Sequence, residues 1–219
     1  MAQPQWTFLS PVTRPSARTE HAMVWDAGRG LVVLFGGNAG ARGQLDDTWE
    51  WDGNTWLNRT PASSPPRRAG HSMAYDARRG VVVLFGGYDQ ANSPQELGDT
   101  WEWDGVTWRL RGTSGPGRWA WSSMCYDAMR GRTVLFGGGV PHTTVWPSGD
   151  TWEWDGATWT QRASTGPAAR ARHAMAYDAA RGVCVMFGGE DPAWARMTDT
   201  WEWNGSTWTQ RGRPSRRRG

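Results

Sequence analysis

A Gly-Gly pair recurs at Gly36-Gly37, Gly86-Gly87, Gly137-Gly138 and Gly188-Gly189, so the chain repeats itself every 50 to 51 residues. A period of that length means one supersecondary unit per repeat, each too small to bury its own apolar face and therefore stacked on its neighbours. Every unit carries the same four segments, here quoted from the second: "HSMAYDA", "VVVLFGG", "DTWEWDG" and a short closing run of the type "TWTQR". The second segment is a continuous β-branched and aromatic run, as expected for a strand covered on both faces. The third alternates Thr and Glu with Trp at a period of two, the signature of a pleated strand. Helical periodicity is absent. The expected class is all-β, with four strands per unit.

The turns agree with that reading. "DAGRG", "DARRG", "DAMRG" and "DAARG" join the first two strands, with Asp to open the turn and Gly for positive φ. Asp52-Gly53, Asp104-Gly105, Asp155-Gly156 and Asn204-Gly205 join the last two, and Asp-Gly and Asn-Gly are the preferred tight hairpin pairs. These spacings never change. The loops between second and third strands hold 9, 11, 11 and 9 residues, and the linkers between units differ freely in sequence. In a meander, alternate connections emerge at the same end, so all variable loops gather on one face. Function is expected there.

Composition narrows the classes further. All 24 basic side chains are Arg, and the pI of about 9.3 comes from Arg211, Arg213, Arg216, Arg217 and Arg218 near the end of the chain. Without these five, 19 Arg face 21 Asp and Glu. Residues 213–219 therefore read as a basic disordered tail, and neither a nucleic acid nor a membrane is expected as partner. Cys125 and Cys184 read as isolated thiols buried as small hydrophobes. The opening "MAQPQWTFLSPV" has no signal-peptide pattern. Cytoplasmic residence is expected as the chain is written, or extracellular residence if it is part of a longer secreted protein.

Three features carry a family resemblance: the Gly pair after an apolar strand, a Trp seven residues beyond the first Trp of the third strand (Trp49 to Trp56, Trp101 to Trp108), and Arg-x-x-His before the first strand at Arg18/His21, Arg68/His71 and Arg170/His173. Over essentially residues 4–212 the chain resembles the kelch-repeat proteins of the galactose oxidase central-domain superfamily. The resemblance implies a β-propeller in which each repeat is a four-stranded blade, its first strand innermost. It also implies a binding role, with enzymatic relatives such as galactose oxidase and sialic-acid epimerases. One propeller domain over 1–212 is expected, with repeats at about 18–60, 68–112, 118–163 and 170–212. Residues 4–9 look like an orphan outer strand, because Trp6 precedes His21 by 15 residues as Trp56 precedes His71. A closed four-bladed monomer, a homodimer forming an eight-bladed ring, and a piece of a longer array all remain open.

Repeated residues are poor candidates for chemistry, since an active site is needed once. The Gly pairs and Trp49, Trp101, Trp152 and Trp201 are read as structural, and Glu50, Glu102, Glu153 and Glu202 as partners for Arg within each blade. Three His at the inner strands fit a metal ring, but Ser122 holds the fourth place and breaks it, so no metal site is expected. No cofactor is expected either. Copper-radical chemistry is disfavoured because Cys125 and Tyr126 are adjacent and point to opposite faces. The remaining candidates depart from the repeat: Trp119, Trp121, His142 and Trp146 in the third unit, with Arg42, Tyr88, Asp89, Trp194 and Arg196 in the other loops. They suggest a non-catalytic recognition or scaffold module for a protein segment or a carbohydrate. The alternatives are a small-sugar epimerase or lyase using His142 or His173 with a loop Arg, and a unit whose activity is self-assembly into a ring.

Overall fold

The computed structural model describes residues 5–91, 95–140 and 147–212. It contains sixteen strands in four antiparallel sheets, the four blades of a β-propeller. Blade 1 comprises β1 (Ala22–Asp26), β2 (Leu31–Asn38), β3 (Gln44–Trp51) and β4 (Trp56–Asn58). Blade 2 comprises β5 (Ser72–Asp76), β6 (Val81–Phe85), β7 (Thr100–Trp103) and β8 (Trp108–Gly112). Blade 3 runs from β9 (Ser123–Asp127) and β10 (Arg132–Phe136) to β11 (Thr151–Trp154) and β12 (Trp159–Ala163). Blade 4 runs from β13 (Ala174–Asp178) and β14 (Val183–Phe187) to β15 (Thr200–Trp203) and β16 (Trp208–Arg211). One register repeats throughout: Phe35, Phe85, Phe136 and Phe187 each pair with the third-strand Thr.

Blades pack face to face through three seams. At each, apolar residues of one second strand (Val33 and Phe35, Val83 and Phe85, then Val134) meet the Met, the second-strand residues and the Trp residues of the next blade. Trp103, Trp154 and Trp203 are buried there, and Phe35, Phe85 and Phe136 stand edge-on to Trp108, Trp159 and Trp208 at 5.2, 5.3 and 5.2 Å. Such aromatic pairs supply both area and geometry. Polar links run along the same seams. The indoles of Trp103, Trp154 and Trp203 donate to Glu50, Glu102 and Glu153 of the preceding blade at 3.3, 3.0 and 3.1 Å.

The repeated carboxylates are consumed by structure, as expected. Arg79 bridges Asp76 at 2.7 Å and Glu102 at 2.6 Å, and Arg130 does the same with Asp127 and Glu153. Arg29 and Arg181 hold the corresponding acids in blades 1 and 4. The Arg-x-x-His arginines lock the other end. Arg18, Arg68 and Arg170 pair with Asp47, Asp99 and Asp199 and also donate to the carbonyl of the first glycine in each pair. Arg170 is fully buried and holds Asp199 down at about 2.

Two expectations change. Cys125 and Cys184 are not isolated: they form a disulfide across the seam between blades 3 and 4, with Cα atoms 6.7 Å apart. One lies on an inner strand and the other on a second strand 59 residues later, brought opposite only by blade packing. Residues 5–9 join no sheet, and Trp6 and Phe8 are exposed. Each blade already owns its fourth strand, so no three-stranded sheet awaits them. Residue 4 and the tail 213–219 lie outside the described residues.

Candidate functional site

Residues of the linkers before the inner strands and of two of the long loops meet at one end of the propeller, its mouth. Just before each inner strand, the residue between the Arg-x and the His of the motif adopts a left-handed conformation: Glu20 (φ +54°), Gly70 (+62°), Trp121 (+58°) and Arg172 (+59°). Left-handed backbone is costly for non-glycine residues and persists where surrounding structure demands it. Here a chain of main-chain hydrogen bonds demands it. The Gly70 amide donates to the Glu20 carbonyl at 3.0 Å, Trp121 to Gly70 at 2.7 Å, and Arg172 to Trp121 at 2.8 Å. Three side chains, those of Glu20, Trp121 and Arg172, are thereby presented at the mouth, and Gly70 leaves the fourth place open.

These side chains line a cavity of about 200 Å³ with Tyr88, Gln90, Gln95 and Trp194. Tyr88 follows the second Gly pair and is anchored by a two-residue bridge to Ala69. Its hydroxyl donates to Glu20 Oε2 at 2.6 Å, and its ring lies 5.3 Å from that of Trp121. Burial and then the bond to Glu20 push the phenol up to about 12, so it stays a hydrogen-bond donor. The Arg172 guanidinium sits 4.4 Å from the Trp121 ring and 5.2 Å from that of Trp194, and pairs with Glu190 at 3.1 Å. Stacking between two indoles fixes a cation that is otherwise 38 % exposed. The wall thus combines indole and phenol surfaces with acceptors, donors and two primary amides.

Of the residues singled out in the sequence, Tyr88, Trp121 and Trp194 converge in this cavity. Trp119 does not. It stands where the other units carry the buried Arg, and packs against the seam between blades 2 and 3. Asp89 is buried and accepts the Ala91 amide, a loop-forming role. Arg42 is exposed in a 3-10 turn (Gly40–Arg42) and does not line the cavity, and Arg196 lines a second hollow beside Phe187. His142 and Trp146 lie outside the described residues. His71 and His173 are buried, standing edge-on to Phe35 and Phe136 at 5.5 Å, one at each of two seams. Burial, then the nearby Arg68 or Arg170, lowers both to about 3, so His173 is neutral and does not line the mouth.

Glu20 and Arg172 escaped the sequence reading. They were visible as the place where the four units disagree most, with Glu, Gly, Trp and Arg at equivalent positions. No group of three or more metal-capable side chains occurs among the described residues.

Comparison with known proteins adds the architecture and little else. No family model matches the chain, and no curated protein does. Among solved structures, one described as the structure of YjhT superposes with a TM-score of 0.67, covering 91% of this chain and 70% of that one at 13% identity. The likeness is one of fold. It supports the propeller and carries no activity across.

Proposed function

We propose that the chain is a recognition module that holds one neutral sugar ring at the mouth of the propeller. The observation that carries this reading is the convergence of Tyr88, Trp121 and Trp194 with Glu20, Gln90, Gln95 and Arg172 around one cavity. A sugar ring offers apolar C–H faces and a rim of hydroxyls that both donate and accept. Aromatic surfaces with a few convergent polar groups are suited to that combination. A volume of about 200 Å³ favours a single ring over a peptide segment. Glu20 lines the cavity beside Arg172, whose charge is already matched by Glu190, which disfavours an anionic ligand. A binding role also accords with the kelch resemblance of the four repeats. The disulfide suits an oxidising compartment, where extracellular glycans are met.

Tyr88 keeps its proton and donates it in a hydrogen bond to Glu20, a pair suited to fixing the hydroxyls of a ligand. Titration with a panel of neutral monosaccharides, followed by saturation-transfer NMR and tryptophan fluorescence, tests the reading. Saturable binding by at least one sugar, lost in Trp121→Ala, is the expected result. No saturation by any of the panel, or binding unchanged in that variant, would overturn it.

A further inference from the structure

Three seams are made, and the groups of a fourth are left facing outward. Phe35, Phe85 and Phe136 are 0% exposed because the next blade covers them, whereas Phe187 of blade 4 is 54% exposed. On the opposite end, Met23 of blade 1 is 51% exposed where Met73 and Met124 are 8% and 6%. Each is uncovered only where its repeat equivalents are covered by a neighbouring blade.

The two faces match each other group by group. At the made seams Trp108, Trp159 and Trp208 donate to Thr48, Thr100 and Thr151 of the preceding blade at 2.9, 2.8 and 2.7 Å. Trp56 on blade 1 and Thr200 on blade 4 are the corresponding donor and acceptor. The rim repeats the pattern. Gly105, Gly156 and Gly205 lie against the guanidinium groups of Arg29, Arg79 and Arg130, while nothing stands within 4 Å of the space beside Gly53. Arg181, the matching plug on blade 4, is 51% exposed against 27–29% for the other three. Among the described residues, these two faces of one chain do not meet. A hollow of about 320 Å³ remains over Met23, Val32, Trp51 and Trp56, bordered by Leu9 and Pro11.

We infer that the outward face of blade 4 is a docking surface for the blade 1 face of a second copy of this chain, head to tail. The surface that fits Phe187, Thr200 and Arg181 is one presenting Met, paired Trp and an open Asp-Gly turn, and this chain carries such a surface. Reciprocal docking of two copies makes two identical seams and an eight-bladed ring, within the range of propellers. A head-to-tail contact that closes on itself is also what limits growth of the assembly.

Sedimentation equilibrium and native mass spectrometry of the whole chain test the inference. The expected mass for the closed pair is twice that of the 24.4 kDa chain. Phe187→Arg and Met23→Arg alter exposed positions, so each variant keeps its circular dichroism, and each alone is expected to run as a single chain. Mixed together, they retain one intact face each and are expected to form a capped species of two chains. A single-chain mass for the unaltered protein at its highest soluble concentration overturns the inference. So does a mass unaffected by either substitution, or a mixture that stays monomeric.

Discussion

At the hairpin rim each blade repeats an Asp–Arg–Glu cluster, whereas at the mouth a single Glu and a single Arg face each other across aromatic rings. The same residue types serve opposite ends. Glu102 is 8% exposed and is held by Arg79 and Arg111 and by the Trp154 indole of the next blade. Arg172 is 38% exposed and held chiefly by ring faces. Repetition with complete pairing marks a load shared by every blade. Singularity with partial exposure marks a place kept for something else.

The sharpest test of that contrast is removal of one carboxylate from each region. Glu102→Ala leaves the buried Trp154 indole without its acceptor and Arg79 with Asp76 alone, and about 3 kcal/mol of stability should be lost, measured by urea unfolding. Glu20→Ala should lose no more than about 1 kcal/mol, the value of one partly exposed hydrogen bond. Equal losses would erase the distinction between rim and mouth.

Acid comes next in size. His71 and His173 sit at about 3 in the folded chain and near 6.5 when unfolded. The unfolded state therefore binds more protons between those values, and stability falls as pH drops from about 6.5 towards 3. The loss should amount to a few kcal/mol for the pair, read from unfolding midpoints at pH 7 and pH 4.5. Replacing both by Gln should flatten this slope without touching sugar binding at pH 7. A flat profile in the unaltered protein would show that these seams admit water.

Trp121→Gly separates fold from recognition most directly. The glycine relieves a left-handed residue worth roughly 1 kcal/mol, against lost contacts with Tyr88 and Arg172. Net stability should change by less than about 1 kcal/mol while sugar affinity falls at least about tenfold, seen in parallel thermal and binding titrations. The smallest effect is expected for Glu20→Gln. Loss of the charge should lower the Tyr88 phenol from about 12 toward its ordinary value, visible by ultraviolet titration, with almost no change in unfolding midpoint.

The blades were legible because each rests on local signals that recur: the apolar run before the Gly pair, the Asp-Gly hairpin, the alternating Trp. Four copies of each leave little freedom in register. The mouth was legible only in part. Tyr88, Trp121 and Trp194 stood out as departures from the repeat, and they do meet. Trp119 departed just as visibly, yet it fills the volume of the missing Arg, a substitution of core for core. Asp89 resembles a surface acid in sequence, but its loop folds over it. Glu20 and Arg172 hid inside a motif whose outer residues are structural. The disulfide had no local cue, because its partners are joined by blade stacking across 59 residues.

Main-chain bonds tie residues 20, 70, 121 and 172 into one line across the four blades. Their side chains therefore act as four interchangeable letters on an unchanging line of type, with Gly70 the blank. A lineage bearing this scaffold can respell what its mouth accepts one codon at a time. Neither register nor seam needs to be rebuilt when it does.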